Sequence, residues 1–170
     1  MHDEAMGAVM AIIELYGFER LINKFIKAQA NNGEPNPTIL RMLTYIGEKM
    51  CTHARNVTPG HASGGYDDQT GNLRSSIGFG VLYNGELQEV GGFKRVEGHV
   101  TDPKGQDPTQ IGEEAIATYA EMMPRKGYCI VVVAGMNYAR YVEDKGYNVL
   151  HLTRPELRNE VELLAKQFGL

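Results

Sequence analysis

The side chains best suited to chemistry crowd into one short stretch, DDQTGNLRSSI, from Asp67 to Ile77. It holds two carboxylates, an arginine and two serines around a Thr-Gly turn. Such a set could bind phosphate or serve a hydrolytic reaction if the rest of the chain supplied partners. A serine or cysteine nucleophile needs a partnered histidine, yet none of Ser63, Ser75 and Ser76 lies in a G-x-S-x-G turn. Cys51 falls beside the apolar stripe of a helix and Cys129 within a hydrophobic strand, positions typical of small buried thiols. His53 and His61 stand eight apart with a proline and a glycine between them, and His2, His99 and His151 are isolated. No common zinc-ligand spacing results. The carboxylate pairs Asp67-Asp68, Glu113-Glu114 and Glu143-Asp144 are adjacent in sequence, and adjacent side chains diverge in a helix or a strand. Glu113 and Glu114 are expected in a first helical turn, where negative charge complements the helix dipole. Gly78-Phe79-Gly80 and Gly91-Gly92 lack the lysine and threonine of a P-loop. In a hairpin, glycines mark bulges or close backbone approach instead. No catalytic, cofactor or metal site assembles from these residues.

The whole chain sets the frame around that stretch. At 170 residues with 42% hydrophobic and 22% charged residues, it suits one domain, 1–170, with a proper core. The net charge of −4 comes with no clustered Lys/Arg stripe, which argues against nucleic-acid binding through phosphates. No apolar run approaches the roughly 20 residues of a membrane span; Ile130 to Ala134 has strand length. The opening MHDEAMGAVM is acidic where a signal peptide is basic. The two cysteines are expected as buried reduced thiols in a protein made in the cytosol.

Periodicity and punctuation predict the elements that must position the polar stretch. Ala8 to Leu15 reads as a strand, followed after Gly17 by an amphipathic helix with Phe18, Leu21, Ile22, Phe25 and Ile26 on one face. Asn36-Pro37 has the form of an N-cap with proline at the first helical position. Ile39, Leu43, Ile46 and Met50 then draw one apolar stripe, with Arg41, Glu48 and Lys49 opposite, in a helix running to about Ala54. A polar loop from Thr58 to Asp68 leads into DDQTGNLRSSI. Ile77 to Tyr83 reads as a strand, Asn84-Gly85 as a two-residue hairpin turn, and Glu86 to Val90 as the partner strand, extending past Gly91-Gly92 towards His99. After a second polar loop, Asp107-Pro108 caps a helix whose expected inward face is Ile111, Ala115, Tyr119 and Met122, ended by Pro124. Tyr128 to Ala134, the most hydrophobic run, is expected as the central strand. Thr153 to Glu156 matches a capping box ahead of a final helix with Leu157, Val161, Leu164 and Phe168 in its stripe. The expected class is α+β, a small, mostly antiparallel sheet with packed helices.

Two stretches remain, DQTGNLRSSI at Asp68 to Ile77 and NYARYVE at Asn137 to Glu143, the second ending near Gly146 and following a hydrophobic strand. In this order, with the IIELYGFERL opening and a capped C-terminal helix, they resemble the tail-completion, or head-to-tail joining, proteins of long-tailed bacteriophages. That family carries a TG-L-R-S-I turn, a sheet, YA-YVE-G and a final helix. The resemblance spans nearly the whole chain. The sequence departs from the pattern by insertions around 58–68 and 98–110, and by Tyr147-Asn148-Val149-Leu150 where a P-F segment often precedes the last helix.

The resemblance implies a non-enzymatic structural role, without cofactor or metal, in the neck or tail end of a phage or prophage virion. It implies a closed ring, a hexamer in the virion, though members can be monomeric in isolation. Partners would be the tail-tube and head-connector proteins, with no membrane and no sequence-specific nucleic acid, and synthesis would occur in the bacterial host cytoplasm. A small hydrolase using Asp67, Asp68 or Glu143 with a histidine, and a host-encoded binding module of the same fold, are the alternatives. Within the motifs, Thr70-Gly71 supplies a turn whose glycine takes positive φ, and Leu73 and Ile77 anchor the start of the sheet. Arg74 can hold a carboxylate or backbone carbonyls with its forked donors, and pairing with Glu143 is one expected use. Tyr138, Tyr141 and Val142 fall on one helical turn, expected to pack its aromatics on the sheet, with Gly146 as its C-cap.

Overall fold

A computed structural model describes residues 9–14, 33–56, 71–96, 105, 107–123, 125–140 and 149–150, with 159–160, 162–164 and 166–167 near the C-terminus. Its elements are β1 (Val9–Glu14), α1 (Pro37–Asn56), the single turn α2 (Asn72–Ser75), β2 (Ile77–Tyr83), β3 (Glu86–Gly91), α3 (Pro108–Ala120) and β4 (Tyr128–Ala134). The strands form one sheet in the order β1-β4-β2-β3, with every pairing antiparallel. This is the α+β class expected from the sequence. Within the run read as a strand at 8–15, Val9–Glu14 is a strand at an edge of the sheet, and Tyr128 to Ala134 is central between β1 and β2. The helix expected after Gly17, the polar loop before Gly71, the capping box at 153–156 and Pro124 lie outside the described residues.

Both central strands are buried on their two faces. Ile77, Phe79 and Val81 of β2 and Ile130, Val132 and Ala134 of β4 join Ile39, Leu43, Ile46 and Met50 of α1 in one core. The alternate residues Leu82, Cys129, Val131 and Val133 pack with Ile116 of α3 in a second core. Helices on opposite faces of the sheet thus explain why YCIVVVA shows no polar alternation. Both helices approach through glycine. A Cβ on Gly47 of α1 would stand 2.4 Å from the Phe79 ring, and one on Gly80 of β2 would stand 2.8 Å from Ile116.

Local chemistry sets the element ends. Asn36 Oδ1 accepts from the N–H groups of Thr38 (2.9 Å) and Ile39 (3.4 Å), and Pro37 opens α1 as expected. Asn84 (φ 52°) and Gly85 (φ 82°) make the hairpin turn, and Asn84 Oδ1 accepts from Gly127 N–H at 2.8 Å, tying the tip to the start of β4. The β2–β3 register shifts between Val81, paired with Glu89, and Leu82, paired with Leu87. Gln88 is the extra residue of this bulge; of the two roles expected of the Gly78–Gly80 and Gly91–Gly92 glycines, bulge or close approach, the structure shows close approach.

Three expectations are corrected. β3 ends at Gly91, and residues 92–96 are not strand, because Gly92 takes φ 80° and leaves the ladder. In α3 the buried line is Pro108, Gly112 and Ile116; Ile111, Ala115 and Tyr119 sit half-buried beside it, while Met122 lies past the helix end and is 61% exposed. Because Asp107 caps α3, accepting from Thr109 N–H at 2.9 Å, its first turn holds no acidic residue. Glu113 and Glu114 fall in the second turn and face solvent.

Candidate functional site: a polar joint at one end of the sheet

The residues of DDQTGNLRSSI that the structure describes form a tight joint between α1 and β2. Gly71 sits in the left-handed region (φ 71°) as the N-cap of α2, the conformation expected of the Thr-Gly turn. Leu73 and Ile77 are fully buried and pack in the α1-side core. The turn therefore inserts one apolar side chain before α2 closes and another as β2 begins.

Arg74 caps the end of α1. Its Nε donates to the Arg55 carbonyl at 3.1 Å, an oxygen in the last helical turn that has no intrahelical partner. Arg55 returns the contact, donating from Nε to the Arg74 carbonyl at 3.2 Å. Its Nη2 donates to the Ile77 carbonyl at 2.6 Å and also to the Gly92 carbonyl. Arg55 is only 7% exposed, so these carbonyls replace most of the water around a buried cation. The C-terminal end of a helix is also where a cation is electrostatically favoured.

The two serines hold the other strand ends. Ser75 Oγ donates to the Gly71 carbonyl at 2.6 Å and accepts from Val96 N–H at 3.0 Å. Ser76 Oγ donates to the Leu73 carbonyl at 2.8 Å and accepts from Met136 N–H at 3.3 Å. The Ser76 carbonyl accepts from Gly135 N–H at 3.1 Å. Both serines are fully buried, with each hydroxyl used as donor and acceptor. They hold backbone together and present no exposed nucleophile.

Beneath the joint lies Cys51, fully buried, with its thiol pushed up to about 12, chiefly by burial and against the smaller opposing effect of the Arg55 charge. A reactive thiol is shifted the other way, so Cys51 belongs to the core. Cys129 is likewise free and buried, its Sγ 3.8 Å from Met123 Sδ. Among the described residues, no three His, Cys, Asp or Glu side chains gather in a way that could hold a metal ion. Nor is any helix among them long and apolar enough to cross a membrane.

The second motif begins where the first is tied down. Gly135 and Met136, bonded to Ser76, immediately precede Asn137-Tyr138-Ala139-Arg140. Tyr138 is 37% exposed, whereas Ala139 is fully buried. Ala139 N–H bonds the Met136 carbonyl at 2.9 Å, which turns position 139 inward and leaves 138 on the rim. Arg140 lies close enough to Tyr119 of α3 to offset part of the upward pKa shift that burial gives that phenol. Val149 and Leu150, at the site of the missing P-F segment, are core residues. Thr70, Tyr141, Val142, Glu143 and Gly146 lie outside the described residues, and with them the expected Arg74–Glu143 pair.

Arg55 is the member of the joint that the sequence reading missed. Its signal is slight: an arginine in the last helical turn, next to Ala54 at the edge of the apolar stripe. The glycines at 112 and 135 were missed as well. A Cβ on Gly135 would stand 2.6 Å from Gly112 Cα, so α3 meets the joint backbone to backbone.

No protein-family model, curated protein or solved structure matches the chain.

Proposed function

We propose that this chain is a tail-completion or head-to-tail joining component of a long-tailed phage or prophage, acting as one subunit of a closed ring at the neck or tail end. The observation that carries the proposal is the meeting of the two resembling stretches. Ser76 of TGNLRSSI holds Gly135 and Met136, the residues that lead into NYARYVE, at 3.1 and 3.3 Å. Motifs 60 residues apart thus serve one joint, and the side chains of Arg74, Ser75 and Ser76 are spent on backbone carbonyls and N–H groups. A structural subunit has this use for them; a hydrolytic site would keep a hydroxyl or carboxylate open to substrate.

A ring subunit needs a rigid body from which contacting segments project, and the joint supplies one. Native mass spectrometry and negative-stain imaging over a concentration series test the reading. Closed rings of one subunit number, growing in with concentration or on addition of a tail-tube protein, are expected. Hydrolytic turnover of phosphoester, peptide or glycoside substrates that is lost on substituting Asp67, Asp68 or Glu143 would replace the reading with the enzymatic one.

A further inference from the structure

The five residues after β3, Gly92 to Val96, run across the end of the sheet from the α1 layer to the α3 layer. On the α1 side, Gly92 covers the Cys51 thiol; a Cβ at this position would stand 2.7 Å from Cys51 Sγ and 2.9 Å from the Phe79 ring. One residue on, the Phe93 ring fills a slot between glycines of two layers. It comes 2.2 Å from where a Cβ on Gly78 of β2 would stand, and 2.3 Å from one on Gly112 of α3.

Separable polar contacts attach this segment. Arg55 donates to the Gly92 carbonyl. Ser75 Oγ accepts from Val96 N–H at 3.0 Å. Arg95 forms an ion pair with Asp107, the residue that caps α3. The Arg95 side chain is 62% exposed, so the pair is screened by solvent and contributes modestly. No strand ladder holds residues 92–96, and Gly92 at φ 80° supplies a joint where the chain can turn. The sheet beside it is held by antiparallel ladders on both sides of β2 and β4.

We infer that Gly92–Val96 is a strap that lifts and closes as a unit while the sheet stays formed, with the Arg95–Asp107 ion pair as its latch. Closed, it clamps the first turns of α3 to the sheet through Phe93 and shields Cys51. Open, it frees the glycine slot between β2 and α3 and admits solvent to Cys51. The inference does not depend on the ring reading, because every contact lies within one chain. Segments of this kind open locally at a free-energy cost well below that of global unfolding.

The chain carries its own reporters. Cys51 lies under the strap, while Cys129 lies in the α3-side core with Met123 and Val131. Labelling of the full chain with a thiol reagent, each cysteine followed by peptide mass spectrometry, separates the two. Cys51 should react faster than Cys129, at a rate insensitive to urea below the unfolding transition, because strap opening exposes little surface. Arg95→Gln should raise the Cys51 rate roughly two- to fivefold, the range for loss of an exposed ion pair. Val131→Ala, in the central strand, should speed Cys129 and leave Cys51 unchanged. Equal rates for the two thiols with the same urea dependence would overturn the inference, since both would then report global unfolding. A Cys51 rate untouched by Arg95→Gln would also overturn it, because the opening would then lie elsewhere, as in fraying of α1.

Discussion

Replacing Arg55 with methionine is the sharpest perturbation of the joint. The substitution keeps most of the side chain's volume and removes donors that reach the carbonyls of Arg74, Ile77 and Gly92. Hydrogen bonds from a charged donor contribute about 1.5–3 kcal/mol each. They are not additive, however, and the cost of burying the cation disappears with it. Truncating one member of a buried charged network costs about 3–5 kcal/mol, and that is the expected loss. Against a typical domain stability of about 5–15 kcal/mol, it should appear as a large fall in the urea midpoint with little change in slope. Arg55→Lys keeps the charge, but a compact ammonium cannot span carbonyls on three segments, so it should recover less than half of the loss. Arg74→Ala removes one bond from a half-buried group and should cost about 1 kcal/mol. If Arg55→Met costs less than about 1 kcal/mol, or Arg55→Lys matches the parent, the joint does not depend on the guanidinium fork.

Other substitutions probe the same architecture. Gly112→Ala would place a Cβ 2.6 Å from the Ser76 carbonyl and 2.3 Å from Phe93, and should cost about 1–3 kcal/mol in chemical denaturation. Tyr128→Phe removes the hydroxyl that accepts from Asn36 N–H at 2.6 Å and should cost about 1 kcal/mol, similar to Asn36→Ala, which removes the α1 cap. Because burial raises the Cys51 pKa from 9.0 to about 12, the folded state holds a proton that the unfolded chain releases. The stabilisation is therefore complete below pH 9 and is lost as pH rises towards 12, at up to about 1.4 kcal/mol per pH unit. Urea midpoints of Cys51→Ala should lack this component of the alkaline decline. Deleting residues 98–106 and bridging the gap with glycines should leave the unfolding free energy within about 1 kcal/mol, since the flanking Arg95 and Asp107 already meet, while weakening ring assembly in native mass spectrometry.

Much of the fold was legible because single residues carried unambiguous local physics. Asn36-Pro37, Asn84-Gly85 and Asp107-Pro108 each fixed an element end through a cap or a turn. The stripe from Ile39 to Met50 could bury only one face. Legibility failed where burial came from tertiary approach. Gly47, Gly112 and Gly135 look like punctuation in sequence, yet they are where helix and sheet backbones, or rings, come close; Gly80 makes the close approach expected of it. The inward line of α3 therefore passes through Gly112 and Ile116 in place of a stripe of larger residues. In the joint, Gly71, Leu73 and Ile77 behaved as their types suggest. Arg55 did not announce itself, because a buried arginine satisfied by backbone carbonyls has no sequence partner to betray it. Ser75 and Ser76 were weighed as nucleophiles, whereas their hydroxyls bridge segments that are distant in the chain.

The proposed role as a ring component of a phage neck or tail end can be tested by immunogold electron microscopy of tailed particles from cells that carry the gene, with antibody raised against this chain. Gold confined to the head–tail junction is the expected result. Particles with intact junctions that carry no label and no trace of the chain by mass spectrometry would refute the proposed role.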